Sequence, residues 1–374
     1  MKLTPAFSFI FICVFLHLSS DSFAQEELFC DQSELVYENT DPAFGFTVVS
    51  YHDDRPDEWL DYRLAIVEMK AIGADHINLV VFRRVDENGK LDSDSGPELQ
   101  TIAYATNLAH RLDLKVTLTP IFETPTGWRG AWDPTGATLI NFRTSYLRFV
   151  IQLASIAQNW NADTVNIGSE LQAFVNRPAN QNYLKNLVSR VKNIFKGEIG
   201  YNANLDNYQS RFVKTAFWDH PMITKVSVSL YPHLTLASKE ESDRSDENPE
   251  LFASQVQHRW SVIIDELEAY ARTLKEGDGM PVVIGEFGAV PYNRCAATPW
   301  SHIPDIAVDQ PEQEAVIMGL IRAVNHRGAT IPEMTLWQWG SGDHQDNYGI
   351  NPFVQSDQQA TAIEVANFLG TGNK

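Results

Sequence analysis

Apolar and polar positions along the chain alternate between two rhythms. Short, nearly continuous apolar runs occur at Phe46–Ser50, Ile77–Phe82, Lys115–Ile121, Thr164–Ile167, Ile199–Asn204, Val226–Tyr231, Val282–Phe287 and Met334–Trp339. Their length and content predict strands. Each is followed by a longer stretch that reads as a helix: Asp57–Ile72, Pro97–Leu112, Asn141–Trp160, Asn182–Phe195, a weak one near Asp206–Phe217, Pro249–Lys275, Glu312–His326 and Gln358–Phe368. In the first helix Leu60, Leu64, Val67 and Ala71 fall at helical spacing and Gly73 stops it. In the third, Tyr146, Phe149, Val150, Leu153, Ile156, Ala157 and Trp160 form one broad apolar face.

Strand–helix alternation implies parallel strands, because parallel neighbours need a crossover. Eight such units with no strand left over predict an α/β chain closed into a (β/α)8 barrel. A doubly wound open sheet would have a glycine-rich first turn, and none follows Ser50. No low-complexity linker interrupts the pattern. The most polar stretch, Ser238–Asn248, is expected to be an acidic loop on the sixth unit.

The first 24 residues stand apart. Lys2, the apolar run Phe7–Leu18 and the small residues of Ser22-Phe23-Ala24 form the three-part pattern of a signal peptide. The apolar run is short of the ~20 residues that span a bilayer. The expectation is a leader over residues 1–24, cleaved near Ala24, and a single domain over 25–374 that is secreted or periplasmic. Cys13 would leave with the leader. Cys30 and Cys295 would remain, and the sequence leaves open whether they are bridged.

The formal net charge of -19 disfavours nucleic acid and anionic membranes as partners. A neutral substrate meets no such penalty. The 9 Trp, 12 Tyr and 20 Phe supply a core and also faces suited to sugar rings. A monomer is expected. No phosphate-cradling glycine loop, His-Glu-x-x-His or Gly-x-Ser-x-Gly occurs, so no cofactor or metal is expected. Asp92-Ser93-Asp94-Ser95-Gly96 matches a calcium loop incompletely and reads as a solvated turn. Asp343-His344-Gln345-Asp346, past the last strand, is expected to bond sugar hydroxyls or to line the rim rather than bind a cation.

In this fold the active site forms at the C-terminal ends of the strands. The fourth strand continues as Ile167-Gly168-Ser169-Glu170, and the seventh as Ile284-Gly285-Glu286-Phe287-Gly288. Each thus brings a carboxylate to the barrel mouth. Paired carboxyls are what glycoside hydrolysis requires: one protonates the leaving oxygen and the other attacks the anomeric carbon or activates water. The plainer alternative is that Glu170 caps its helix and Glu286 pairs with an arginine.

Glutamates ending strands four and seven resemble those of clan GH-A retaining glycosidases. Within that clan the chain resembles glycoside hydrolase family 113, of β-mannanases. The resemblance is carried by Trp128-Arg129-Gly130, Ile167-Gly168-Ser169-Glu170-Leu171, Tyr201-Asn202-Ala203-Asn204 and Trp337-Gln338-Trp339. It implies a β-glycanase with Glu170 as acid/base, Glu286 as nucleophile and Tyr231 orienting the nucleophile. Where many clan members carry Asn before the acid/base, this chain has Ser169. The charge on Glu286 is expected to raise the proton affinity of Glu170.

Candidate sugar-binding residues are Trp128, on a Pro/Gly-containing loop; Trp337 and Trp339, which share strand parity; and Asn204, preferred over Asn202. For the two strand-eight tryptophans, core packing is an equal alternative. The expected substrate is a β-linked polysaccharide, foremost β-1,4-mannan cleaved internally. Another β-glycanase or an exo-β-glycosidase is the runner-up, and a catalytically silent glycan-binding barrel the alternative from a different class.

Overall fold

The computed structural model describes residues 42–50, 58–206, 211–212, 218, 220–235, 248–301, 307–325, 330–340 and 348–370. All lie within the compact unit Tyr37–Lys374. The expected leader, Cys30, residues 238–247 of the acidic stretch and Asp343–Asp346 lie outside the described residues.

The strands are β1 (Ala43–Val48), β2 (His76–Arg84), β3 (Lys115–Glu123), β4 (Thr164–Ser169), β5 (Glu198–Asp206), β6 (Arg211–Phe212), β7 (Val226–Leu230), β8 (Val282–Phe287) and β9 (Glu333–Leu336). Their order is β4-β3-β2-β1-β9-β8-β7-β5-β6, and a further β4–β5 pairing closes the ring. Every barrel pairing is parallel. The described helices are α1 (Glu58–Ala71), α2 (Leu99–Arg111), α3 (Gly136–Asn159), α4 (Gln172–Asn176), α5 (Gln181–Ile194), α6 (Pro249–Ala271), α7 (Gln310–Asn325) and α8 (Gln359–Gly370). The chain is a (β/α)8 barrel.

Two expectations are corrected. Asp206 and Arg211–Phe212 lie not in a helix but in an antiparallel pairing of β5 with β6. Little apolar periodicity supported a helix there. On α1 the expected stripe faces solvent: Leu60, Leu64 and Val67 are 48%, 51% and 48% exposed. Tyr62, Ala65, Ile66 and Met69 are buried instead. Both sets have helical spacing, so the sequence offered two faces and only contact with the barrel selected one. The α3 face forms as expected, with Tyr146, Phe149, Val150, Leu153 and Ala157 buried.

The barrel interior is unusually polar. Asn78 Nδ2 donates to Thr47 Oγ1 (3.2 Å), Thr119 Oγ1 to Asn78 Oδ1 (2.7 Å) and Asn166 Nδ2 to Thr119 Oγ1 (2.9 Å), which links β1 through β4. Near the strand starts the buried Lys225 ammonium lies 3.0 Å from Glu198 and 3.6 Å from Glu333 and donates to Thr164. Each buried polar group needs such partners, because an unpaired one costs ~1–3 kcal/mol. Cys295 is a buried free thiol.

Candidate active site

Glu170 directly follows β4, and Glu286 is the penultimate residue of β8. Glycines just upstream make room for the groups that fix each strand end. A Cβ on Gly168 would lie 2.6 Å from the Tyr146 hydroxyl, which donates to the Ile167 carbonyl. One on Gly285 would lie 2.3 Å from Ser227 Oγ and 2.5 Å from Asn202 Oδ1.

Glu170 has φ 53°, in the left-handed region that disfavours a residue with a Cβ. Its amide donates to the Asn202 carbonyl (2.8 Å), and the next amide, Leu171, donates to the Tyr201 hydroxyl (2.9 Å). These bonds from β5 hold the bend that turns the carboxylate into the mouth. There Arg129 Nη2 lies 2.8 Å from Glu170 Oε2. Arg129 stands in Trp128-Arg129-Gly130, and the sequence assigns it no role of its own. Its place on a Gly-containing loop beside Trp128 was the available signal.

Glu286 Oε1 accepts a 2.9 Å bond from the Tyr231 hydroxyl. Ser229, its register partner on β7, also bonds the carboxylate. Behind Ser229 lies a relay the sequence reading missed. Ser227 Oγ donates to Asn202 Oδ1 (3.0 Å), and Asn202 Nδ2 donates to Ser229 Oγ (2.7 Å). The alternation Val226-Ser227-Val228-Ser229 was its signal, since alternate residues of a strand face one side.

Burial, then the negative charge of Glu170, pushes the Glu286 carboxyl up to about 8; Arg129 and the bonds from Tyr231 and Ser229 oppose this. The upward push on Glu286 thus comes from its burial and from its carboxylate neighbour. With its carboxyl pushed up this far, Glu286 holds a proton into the neutral range. Tyr231 stays protonated, because burial and then the Glu286 charge raise its phenol well above the usual range.

The other candidates divide. Trp128 is 53% exposed on the loop that carries Arg129. Trp337 is buried and follows β9 directly; Glu333 and Thr335 bond interior groups, so its parity is inward. Trp339 is 3% exposed, packs edge-on against Phe46 and points its indole Nε1 to Glu68 of α1 (3.3 Å), as the core-packing alternative has it. Asn204 Nδ2 bonds Gln172 Oε1 (3.3 Å) at the end of β5, whereas Asn202 is committed to the serines. Ser169 is fully buried, 3.4 Å from Asn202 Nδ2. Among the described residues, no group of three or more His, Cys, Asp or Glu is placed to hold a metal ion. No helix among them is long and apolar enough to cross a membrane.

The sequence matches the model of glycoside hydrolase family 113 over residues 64–350. No curated protein matches it. Among solved structures, a family 113 β-1,4-mannanase has 18% identity and a TM-score of 0.66, covering 89% of this chain and 100% of the other. The family 113 β-mannanase of Alicyclobacillus acidocaldarius has 18% identity and a TM-score of 0.62, with 88% and 96% covered. The endo-1,4-β-D-mannanase of Thermotoga petrophila RKU-1 has 13% identity and a TM-score of 0.56, with 87% and 99% covered.

Proposed function

The chain belongs to glycoside hydrolase family 113, and from that premise we propose that it is a retaining endo-β-1,4-mannanase with Glu286 as nucleophile and Glu170 as acid/base. The observation that carries this is one charge-coupled mouth: Glu170 beside Arg129, and Glu286 held by Tyr231 and Ser229. The mannanase names of the similar structures support the choice of sugar.

The productive microstate has a proton on Glu170 and the charge on Glu286. The Glu286 carboxylate attacks the anomeric carbon while Glu170 gives its proton to the glycosidic oxygen, and the aglycone leaves. A glycosyl ester on Glu286 remains. Glu170, now a carboxylate, takes a proton from water, which attacks the anomeric carbon and releases Glu286. Two displacements retain the β-configuration. Tyr231 donates to Glu286 throughout. Trp128 and Trp337 supply aromatic surface for sugar rings, and Asn204 a hydroxyl ligand. A secreted or periplasmic site, after removal of residues 1–24, agrees with a polymeric substrate.

Turnover of linear β-1,4-mannan, cellulose, xylan and aryl β-glycosides tests the substrate. Proton NMR of the first product anomer tests retention. The expected result is preference for mannan with initial β-product. An initial α-product would overturn the nucleophile assignment, and preference for another glycan would overturn the substrate. Binding without turnover by the intact protein would favour the silent barrel.

A further inference from the structure

A cleft of about 430 Å³ opens between the ends of β2 and β3 and the loop that follows β3. Phe82 and Arg84 from β2, Ile121 and Glu123 from β3, and Trp128 and Arg129 from the loop line it. Neither glutamate of the catalytic pair is among its walls. Yet Arg129, one of those walls, lies 2.8 Å from Glu170. The cleft therefore adjoins the cleavage point without containing it. Arg84 and Glu123 end their strands as register partners. Arg84 Nε lies 3.1 Å from Glu123 Oε2, with the side chains 47% and 56% exposed.

We propose that this cleft is a neighbouring sugar subsite, in which the Arg84–Glu123 pair reads two adjacent hydroxyls of a pyranose that packs on Trp128. The assignment rests on the proposed glycanase activity and deepens it. A guanidinium only donates hydrogen bonds and a carboxylate only accepts them. A sugar hydroxyl does both. Two adjacent free hydroxyls therefore satisfy the pair together, accepting from Arg84 and donating to Glu123. An acetyl ester on the hydroxyl that faces Glu123 removes the proton that Glu123 requires. The pair carries no net charge, so it suits a neutral sugar. An exposed ion pair of this kind contributes little to stability, which leaves it free to exchange partners for a ligand. Trp128 is set by its neighbour: a Cβ on Gly130 would lie 2.2 Å from Trp128 Cζ2, so the ring packs against the bare glycine. The cleft falls within the range of small-molecule pockets.

The test compares the full chain with Glu123→Ala, Arg84→Ala and Glu123→Gln on mannohexaose, acetylated mannohexaose and an aryl β-mannoside. Wild type is expected to favour the free hexaose over the acetylated one. Glu123→Ala and Arg84→Ala should raise KM for the free hexaose about tenfold, with a smaller change in kcat and a smaller loss on the aryl glycoside. The preference against acetyl groups should shrink with them, and Glu123→Gln should restore part of the affinity. An unchanged KM for the hexaose, or an unchanged acetyl preference, overturns the subsite. So does an equal loss on the aryl glycoside, which would trace to Arg129 and Glu170. If wild type cleaves none of the three, the mannanase reading fails by itself. Calorimetric binding of mannohexaose, cellohexaose and xylohexaose to the same variants then decides the subsite, and equal affinities across the variants, or no binding to any, sink it.

Discussion

Asn202 Nδ2 lies 2.7 Å from Ser229 Oγ, and through that bond β5 reaches the residue that stands in register with Glu286. A serine hydroxyl has one proton. With Asn202 filling a lone pair, that proton is left for Glu286, whose charged form it stabilises. Removing the bond raises the Glu286 pKa further.

The acidic limb of kcat/KM, which reports ionisation of Glu286, should therefore move up by about one pH unit in Ser229→Ala. Asn202→Ala should move it in the same direction by less. The double variant should lose no more than Ser229→Ala alone, because both act through one bond. Full pH profiles of the three proteins check this. Additive shifts, or a lower KM-limited affinity with no change in the limb, would mean that Asn202 is only structural.

Glu170→Gln removes the like charge that helps to raise Glu286. With that repulsion gone, Glu286 ionises more readily, so the acidic limb should move to lower pH. Aryl glycosides with activated leaving groups should keep their first step, since they need no proton. Arg129→Ala acts in the opposite direction, because its cation lowers the Glu286 pKa. Burst kinetics across pH on a dinitrophenyl glycoside separate the two. Movement of both limbs in the same direction would contradict the electrostatic account.

Glu286 costs stability as pH rises. A carboxyl whose folded pKa is raised to about 8 contributes fully below its unfolded value, ~4.3. That contribution is lost as pH rises toward 8, because the folded state resists ionisation. Glu286→Gln removes the dependence. Its Tm should exceed that of wild type by a few degrees at pH 8 and by much less at pH 5. Scanning calorimetry at the two pH values decides it, and a pH-independent difference would refute the linkage.

The opposite sign holds at the barrel floor. Burial by itself raises the Glu333 carboxyl, but the Lys225, His76 and Lys115 charges outweigh it and bring it below the usual value. Its contribution is present above the unfolded carboxylate value and is lost as pH falls through the folded one. Lys225→Met leaves Glu333 buried without its cation, at a cost of about 3–5 kcal/mol near neutral pH. Adding Glu333→Leu should recover much of that. Urea unfolding at pH 7 measures both, and a loss under about 1 kcal/mol would show that the pair is dispensable.

The sequence alone determined the barrel, the places of its eight principal strands and the two glutamates. Those follow from local chemistry: apolar runs must be buried, helical spacing needs a surface to cover, and a carboxylate after an apolar strand must reach water or a partner. It also pointed to Tyr231, which does meet Glu286. Tertiary structure alone decided which face of α1 is buried, since Leu60-Leu64-Val67 and Tyr62-Ile66-Met69 are equally helical in spacing. It set Trp339 against Phe46 and Glu68 rather than leaving it in the mouth. Only the pairing of β5 with β7 brought Ser227 and Ser229 against Asn202, and only the path of the chain between β3 and β4 brought Arg129 against Glu170. Spacing along a chain records which side a residue presents within its own element. It carries no record of which residue from another element will stand opposite, and that is what sets charge, proton and ligand contacts in the mouth.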